Sequence, residues 1–200
     1  DALPGLVLDR FGNVVVGQIA TAGMEAMRPD IEAAVRKAIA PAALLWKNDA
    51  GVRELEGLPS YVEPAFGEVP ESVDVEEGGV TFRIPLGSGQ KTGWFFDQAA
   101  NRLALRKYVG GARVLDVFSY LGAWGLGALR AGATEVPCVD SSAVGLEGLQ
   151  AAAAANGLGS TVRAPRPSSK SSPGVIATPA SSRTLRQNAM EPFEYRPMSR

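Results

Sequence analysis

The sequence predicts an α/β protein, in which a small α+β domain over residues 1–87 precedes the opening of a doubly wound parallel sheet over residues 88–159. Two observations predict this. From residue 110 to 159 the pattern is strand, glycine-containing turn, helix, strand and helix, the order of a parallel sheet with crossover helices. Before residue 87, hairpin-type turns separate apolar runs around one amphipathic helix, which is typical of a mixed domain.

Turns and prolines set the elements of the first domain. Phe11-Gly12-Asn13 and Gly78-Gly79 each separate two strand-like runs and favour hairpin turns. Pro41 ends a helical pattern, because proline cannot continue a helix. The predicted elements are strands at 3–10, 14–19 and 42–46, a helix at 27–40, and strands at 73–77 and 80–85.

Glycines mark the ends of the helices in the second part. Gly132 follows one helical stretch and Asn156-Gly157 follows the next, and both are typical C-terminal stop signals. The predicted elements are a strand at 114–118, a helix reaching about residue 131, a strand ending at 139–140 and a helix at 143–155.

The turn after the first of these strands is the candidate ligand site. Gly122 allows a ligand to approach the backbone closely, and Asp140 follows the second strand, where a carboxylate can accept both hydroxyls of a ribose. The turn lacks the G-x-G-x-x-G pattern that binds a pyrophosphate. A ribose-bearing ligand without phosphates is therefore favoured, and S-adenosylmethionine is the commonest. The alternatives are that the glycines only permit close helix–strand packing and that Asp140 only caps a helix.

A third helix is predicted from residue 98 to 108, with Asp97 as its N-cap and Gly110-Gly111 after its end. Three polar side chains, Gln98, Asn101 and Arg102, fall on one side of its first turns. They either line a ligand pocket or form a solvated helix face, and their spacing does not distinguish the two.

Composition excludes several classes of function. There is no histidine and a single cysteine, which excludes histidine acid–base catalysis, most zinc sites and an intramolecular disulfide, and no metal is expected. No apolar run is long enough to span a membrane and no signal peptide is evident, so a cytoplasmic location is the default. Residues 1–159 carry a net charge of −6 and residues 160–200 carry +5, so the main body is a poor electrostatic partner for nucleic acid.

The last forty residues change in character. Residues 160–182 are dense in serine, proline and arginine and show no hydrophobic period. Such a segment cannot bury enough apolar surface to offset its chain entropy, so we expect disorder from about Thr161 onward.

Five segments together resemble the class I S-adenosylmethionine-dependent methyltransferases that modify cytosine C5 in large-subunit (23S) ribosomal RNA. The resemblance covers most of residues 1–158, and its most specific part is the pair of motifs at 89–102 and 114–126. The segments are LPGLVLDRFGNVVV near the start, VRELEGL at 52–58, GQKTGWFFDQAANR at 89–102, VLDVFSYLGAWGL at 114–126 and CVDSSAVGLE at 138–147.

The resemblance implies three domains: an RNA-binding PUA domain, with no counterpart here, a central α+β domain matching residues 1–87, and a Rossmann-like catalytic domain beginning near Gly89. It implies S-adenosylmethionine as cofactor and ribosomal RNA as partner. The family's cofactor contacts carry over by position to Gln98, Asn101, Arg102, Phe118, Ser119, Tyr120, Gly122, Asp140 and Ser141.

The sequence departs from the family at three places. Ala123 stands where the family has a second glycine and would crowd the methionine end of the cofactor, and Pro137 removes a hydrogen bond from a central strand. After Leu158 the family's third strand, Asp-Pro-Pro-type motif and catalytic cysteine are not found, and we hypothesise a frameshift or premature end near residue 159. A sheet of two strands leaves an apolar edge, which predicts aggregation or a partner such as a second copy of the chain.

The predicted function is therefore that of an S-adenosylmethionine-dependent RNA methyltransferase, in a truncated and inactive form. Cys138 lies inside the second strand and is expected to be buried and structural, so no catalytic residue is assigned. The alternatives are a non-catalytic cofactor-binding module and a nicotinamide-dependent oxidoreductase, which the missing pyrophosphate glycines disfavour.

Overall fold

In the computed structural model, which describes residues 3–159 and 162–163, the first four strands form one sheet in the order β1-β2-β3-β4. β2 pairs antiparallel with β1 and parallel with β3, and β4 pairs antiparallel with β3 at the edge. The strands are β1 (Leu6–Phe11), β2 (Val14–Ile19), β3 (Ala43–Asn48) and β4 (Tyr61–Phe66). The helices between them are α1 (Ala22–Ala26), α2 (Arg28–Ala38) and α3 (Val52–Leu55).

The two faces of this sheet are buried in different cores. Val15, Leu44 and Trp46 pack against Ile31 and Val35 of α2. The opposite face contributes to a larger core that also contains buried residues between positions 80 and 153, and its residues from this sheet are Phe11, Val14, Val16, Ala43 and Leu45. Both faces are covered, which explains why β2 and β3 are apolar along nearly their whole length.

A hairpin connects this sheet to the second part of the chain. β5 (Ser72–Glu77) and β6 (Val80–Pro85) pair antiparallel across Gly78-Gly79. Val80, Phe82 and Ile84 alternate into the larger core, which also contains residues of the following helices.

The second part contains a parallel sheet in the order β7-β8-β9. Its strands are β7 (Asp116–Val117), β8 (Val136–Val139) and β9 (Val162–Arg163), and its helices are α4 (Ala99–Leu105), α5 (Ala123–Arg130) and α6 (Ala143–Ala155). A short 3-10 turn, Phe96–Gln98, precedes α4. At the end of α6 the Asn156 amide donates to the Thr81 carbonyl over 2.8 Å and accepts from its N–H over 3.0 Å, which ties the helix to β6.

Five sequence predictions are corrected here. The third strand, expected to be missing, is present at Val162–Arg163, because the open edge of β8 offers backbone groups for parallel pairing, and the disorder predicted from Thr161 is wrong at these two residues. Asp97 is not an N-cap: it lies in the 3-10 turn and α4 ends at Leu105. The strand predicted at 114–118 is reduced to two residues plus a bridge between Arg113 and Glu135. The predictions for residues 164–200 lie outside the described residues.

Candidate functional site

The turn from β7 to α5 has an unusual backbone. Phe118, Tyr120 and Gly122 have φ angles of 62°, 47° and 79°, so every second residue is left-handed. Such angles are strained for residues with side chains and are found where other contacts hold them, often at functional sites. Two hydrogen bonds between backbone groups hold this turn: Ser119 N–H donates to Val139 O over 3.1 Å, and Gly122 N–H donates to Ser119 O over 2.7 Å.

Asp140 is bound directly to this turn. Its Oδ2 accepts a hydrogen bond from Tyr120 N–H and its Oδ1 accepts one from Ser142 N–H, both over 2.7 Å. The N-cap of α6 is Ser142, whose Oγ accepts from Gly145 N–H over 3.0 Å. Asp140 is therefore not the cap of this helix, and its second lone pairs are available to a ligand. Ser141, between Asp140 and Ser142 in the sequence, is exposed.

A cavity of about 350 Å³ opens beside the turn. Five of the predicted site residues line it: Gln98, Arg102, Phe118, Ser119 and Tyr120. Asn101, Gly122, Asp140 and Ser141 do not line it. Asn101 is exposed and donates to Gln98 over 3.0 Å, Gly122 is the N-cap of α5, and Asp140 reaches the cavity wall only through Tyr120 N–H.

Five further residues of the cavity wall were missed from the sequence as ligand contacts: Gln90, Trp94, Phe95, Leu121 and Trp124. Three of them belong to the segment GQKTGWFF, where aromatic residues directly follow a glycine-rich loop. This combination of glycines and aromatic residues was the sequence pattern that could have indicated a ligand site. Ala123 lines the cavity, as its departure from the family pattern implied.

Tyr120 holds the glycine-rich loop against the turn. Its hydroxyl accepts a hydrogen bond from Gln90 N–H over 3.0 Å, and its ring meets the Phe95 ring edge-on with centroids 6.2 Å apart. A Cβ on Gly89 would lie 2.6 Å from Pro85 O and 2.9 Å from the Tyr120 hydroxyl, so only glycine fits there. Burial raises the pKa of Tyr120, which keeps its hydroxyl neutral.

The Arg102 guanidinium is engaged within the protein. It forms a two-point ion pair with Glu77, in which Nη2 lies 2.7 Å from Oε2, and Nη2 also donates to Phe95 O over 2.9 Å. Trp94 Nε1 donates to the same Glu77 carboxylate over 3.3 Å. We infer that Arg102 positions the Trp94–Phe95 wall of the cavity, with Glu77 supplied by a hairpin 25 residues earlier in the chain.

Two ionisable side chains are buried under the turn. Desolvation raises the pKa of Asp116 to about 6, the Gly125 N–H opposes this by donating to Oδ2 over 2.9 Å, and the Asp140 charge adds to the rise. Desolvation also raises the pKa of Cys138 to about 12, and the thiol is fully buried. Cys138 is thus a neutral core residue, in agreement with the expected structural role. A Cβ on Gly125 would lie 2.8 Å from its sulfur.

Comparison with known proteins decides the family. A family model described as S-adenosylmethionine-dependent methyltransferase matches residues 38–159. The chain belongs to this family. It is 40% identical over 159 residues to the ribosomal RNA large subunit methyltransferase I of Aeromonas salmonicida and 38% identical over 148 residues to that of Escherichia coli. These matches cover 79% and 74% of this chain but only 40% and 37% of the relatives, so the chain spans less than half of their length.

Solved methyltransferases share the fold. A S-adenosylmethionine-dependent methyltransferase from Streptococcus mutans superposes with a TM-score of 0.68 at 26% identity, over 80% of this chain and 41% of the other. A methyltransferase structure in complex with S-adenosylhomocysteine gives the same values. The tRNA m1G37 methyltransferase of M. jannaschii, at 18% identity and a TM-score of 0.62 over 80% of this chain and 46% of its own, shares the fold alone. The predicted family, fold class and cofactor are confirmed.

The residues of this chain fit that cofactor. The cavity volume lies in the range of about 300–1,000 Å³ typical of small-molecule sites. Ser119 Oγ is buried and has no hydrogen-bond partner among the described residues, so a polar group of a ligand would satisfy it. The Phe118 ring is 87% exposed at the cavity mouth and offers a face for stacking.

Two absences concern the described part of the chain only. Within residues 3–159 and 162–163, no group of three or more Asp, Glu, Cys or His side chains is arranged to hold a metal ion. In the same residues, no helix is long and apolar enough to cross a membrane.

Proposed function

We propose that this chain is the cofactor-binding part of an RNA methyltransferase that acts on cytosine C5 of large-subunit (23S) ribosomal RNA in the cytoplasm. The observation that carries the proposal is the turn from β7 to α5, which lacks the glycine pattern of a pyrophosphate site. The Asp140 carboxylate is hydrogen-bonded to this turn, and the cavity beside it contains the Ser119 hydroxyl, which has no hydrogen-bond partner among the described residues. The names of the relatives, at about 40% identity, support RNA as the substrate class.

The division of labour among the residues follows from their contacts. Asp140 accepts the ribose hydroxyls, Ser119 binds a polar group of the ligand, and Phe118 covers its adenine. Gln98 and Tyr120 complete the wall, and the cofactor supplies an activated methyl group when bound.

The remaining predicted cofactor residues act less directly. Gly122 and Ser141 shape the turn and the start of α6, and Arg102 positions the wall through Glu77. Asn101 orients Gln98, to which its amide donates.

The domain boundary stays near residue 87 in this proposal. β1 to β6 form the central domain and residues 88–159 form the beginning of the Rossmann-like domain. Val117 of β7 and Val139 of β8 are 47% and 46% exposed, and Leu115, just before β7, is 64% exposed, which supports a homodimer or another covering partner.

A non-catalytic module is the second candidate, because the single thiol of the chain is fully buried. Methyl transfer to RNA, measured with radiolabelled cofactor, separates the two candidates. Transfer supports the enzyme, and cofactor binding without transfer supports the module.

Calorimetric titration with S-adenosylmethionine tests the shared part of the proposal. Asp140→Asn removes a charge-assisted acceptor worth about 1.5–3 kcal/mol, so the dissociation constant should rise about 10- to 150-fold. Asp30→Asn, at an exposed position on α2, is the matched control and should leave the dissociation constant unchanged. Equal affinities of the parent and Asp140→Asn would contradict the ribose role, and tighter binding of NAD than of S-adenosylmethionine would favour the oxidoreductase.

A further inference from the structure

A second cavity, of about 200 Å³, adjoins the first and shares Trp94 and Phe95 with it. It lies between the hairpin β1–β2 and the loop that leads to α4. Its other lining residues are Val7, Asp9, Gln18, Lys91, Thr92, Phe96 and Asp97. No role in cofactor binding has been assigned to any of these residues.

The size and one wall of this cavity suit a single flat ring. Its volume is smaller than the roughly 300 Å³ at which sites for larger ligands begin. The Phe96 ring is 38% exposed, and its centroid lies 5.2 Å from that of Phe11, so one side is held by the core while part of the ring is open. An aromatic ring held in this way is a platform on which a base can stack.

Three side chains of the cavity wall carry carboxylate or amide acceptor oxygens: Asp9, Gln18 and Asp97. Asp9 Oδ2 accepts from Thr92 Oγ1 over 2.6 Å, which leaves Oδ1 available within the described chain. Gln18 Nε2 donates to Lys47 O over 3.1 Å, so its Oε1 is the free end of the amide. A ligand that fits these groups presents an amine, because a carbonyl in the same place would face carboxylate and amide oxygens.

One cation lines the cavity. Lys91 is exposed, its Nζ lies 4.7 Å from the centroid of the Phe95 ring, and no carboxylate among residues 3–159 pairs with it. A free ammonium beside a ring platform binds a phosphate of a nucleotide or a ring acceptor of its base. Because residues 1–159 carry a net negative charge, Lys91 is not part of a general basic surface.

We propose that this cavity is a subsite for one unstacked base of the RNA substrate and that it selects a base with an exocyclic amine, cytosine or adenine, over uracil. Phe96 stacks on the base, Asp9 and Gln18 accept from its amine, and Lys91 contacts its phosphate or ring acceptor. The inference rests on the proposed function, and it adds which base chemistry is read and by which residues. The shared Trp94–Phe95 wall places this base next to the cofactor cavity.

Binding of fluorescein-labelled single-stranded oligomers of C, A and U to the full chain, followed by anisotropy at low salt, tests the subsite. The parent should bind oligo-C and oligo-A about 5- to 150-fold more tightly than oligo-U. Asp9→Asn keeps an oxygen for Thr92 but replaces the second acceptor by a donor, so it should abolish or reverse this preference. Phe96→Ala should weaken all three oligomers about 5- to 150-fold.

The role of the Lys91 charge is tested in the same assay, together with two control variants. Lys91→Ala should weaken all oligomers alike and lower the slope of log affinity against log salt by about 1. Lys37→Ala and Asp30→Asn, at exposed positions on α2 on the other side of the sheet, should match the parent. A parent without base preference, an Asp9→Asn variant with the same preference as the parent, or a Phe96→Ala variant within twofold of it would overturn the proposal.

Titration of the same variants with S-adenosylmethionine separates this inference from the proposed function. Unchanged cofactor affinity in Asp9→Asn and Phe96→Ala is expected, because the two cavities share only Trp94 and Phe95. Loss of cofactor binding in Phe96→Ala would overturn the subsite, because the cavity would then belong to the cofactor site. A parent that shows the base preference but binds no cofactor would support the subsite and contradict the proposed function.

Discussion

Replacing Asp116 by asparagine should make the protein more stable at neutral pH. The carboxyl is 7% exposed, and burial raises its pKa from 3.8 to about 6. A shift of about 2 units corresponds to about 3 kcal/mol between the two protonation states. Asparagine carries no charge to desolvate, and its oxygen still accepts from Gly125 N–H, which donates to Asp116 over 2.9 Å.

The sign of the pH dependence follows from the direction of the shift. Because the folded-state pKa lies above that of the unfolded chain, the native protein binds more protons between about pH 4 and pH 6. The stability of the parent should therefore fall as the pH rises through this window, and the advantage of Asp116→Asn should grow by about 3 kcal/mol from below pH 4 to pH 7.

Urea unfolding from pH 4 to 8, followed by the fluorescence of the three tryptophans, measures this difference. Asp74→Asn is the control: the Arg83 guanidinium lowers the pKa of that carboxyl below 3.8, so its contribution is lost only at lower pH and the difference from the parent should hardly vary from pH 4 to 8. A difference between Asp116→Asn and the parent that does not vary with pH would refute the assignment of a desolvated carboxyl. Asp140→Asn should lower the pKa of Asp116, because it removes a neighbouring negative charge.

Three further predictions concern packing and the ion pair. Gly122→Ala should lower the free energy of unfolding by about 1–3 kcal/mol, because φ is 79° and the new Cβ would lie 2.7 Å from Leu149. Gly127→Ala, in α5 where a Cβ would meet open space, should be neutral or stabilising in the same urea assay. Equal effects of the two substitutions would contradict this account. Glu77→Gln should weaken S-adenosylmethionine binding in calorimetry although Glu77 does not line that cavity, because Arg102 loses its charged partner; unchanged affinity would argue against a positioning role. Native Cys138 should react with a thiol reagent only as fast as the protein unfolds, and rapid labelling would contradict its burial.

Local signals accounted for much of the fold. The helix Ala143–Ala155 agrees residue for residue with its prediction, because an alanine-rich run is closed by Asn156-Gly157. The two hairpins formed around their glycine turns for the same reason. β4 was not predicted, because Pro64 interrupts its pattern; the strand tolerates proline since it is the edge strand of its sheet.

The candidate site was only partly readable, because its geometry depends on contacts far apart in sequence. The spacing of Gln98, Asn101 and Arg102 left a pocket and a solvated face equally supported. The structure divides them: Arg102 is buried by an ion pair with a carboxylate from another element, while Asn101 stays exposed. Nothing in the local sequence of α4 could indicate that partner.

The backbone conformation of the turn from β7 to α5 could not be predicted from the local sequence either. Two residues with side chains, Phe118 and Tyr120, adopt a conformation that sequence patterns assign to glycine, and each such residue costs about 1–3 kcal/mol. The hydrogen bond from Tyr120 N–H to Asp140 and the one from Gln90 N–H to the Tyr120 hydroxyl both act on the strained residue. The carboxylate proposed to bind the ribose is thus also one of the groups that hold the turn in shape. Loss of its charge should therefore weaken ligand binding in two ways, directly and through the geometry of the turn.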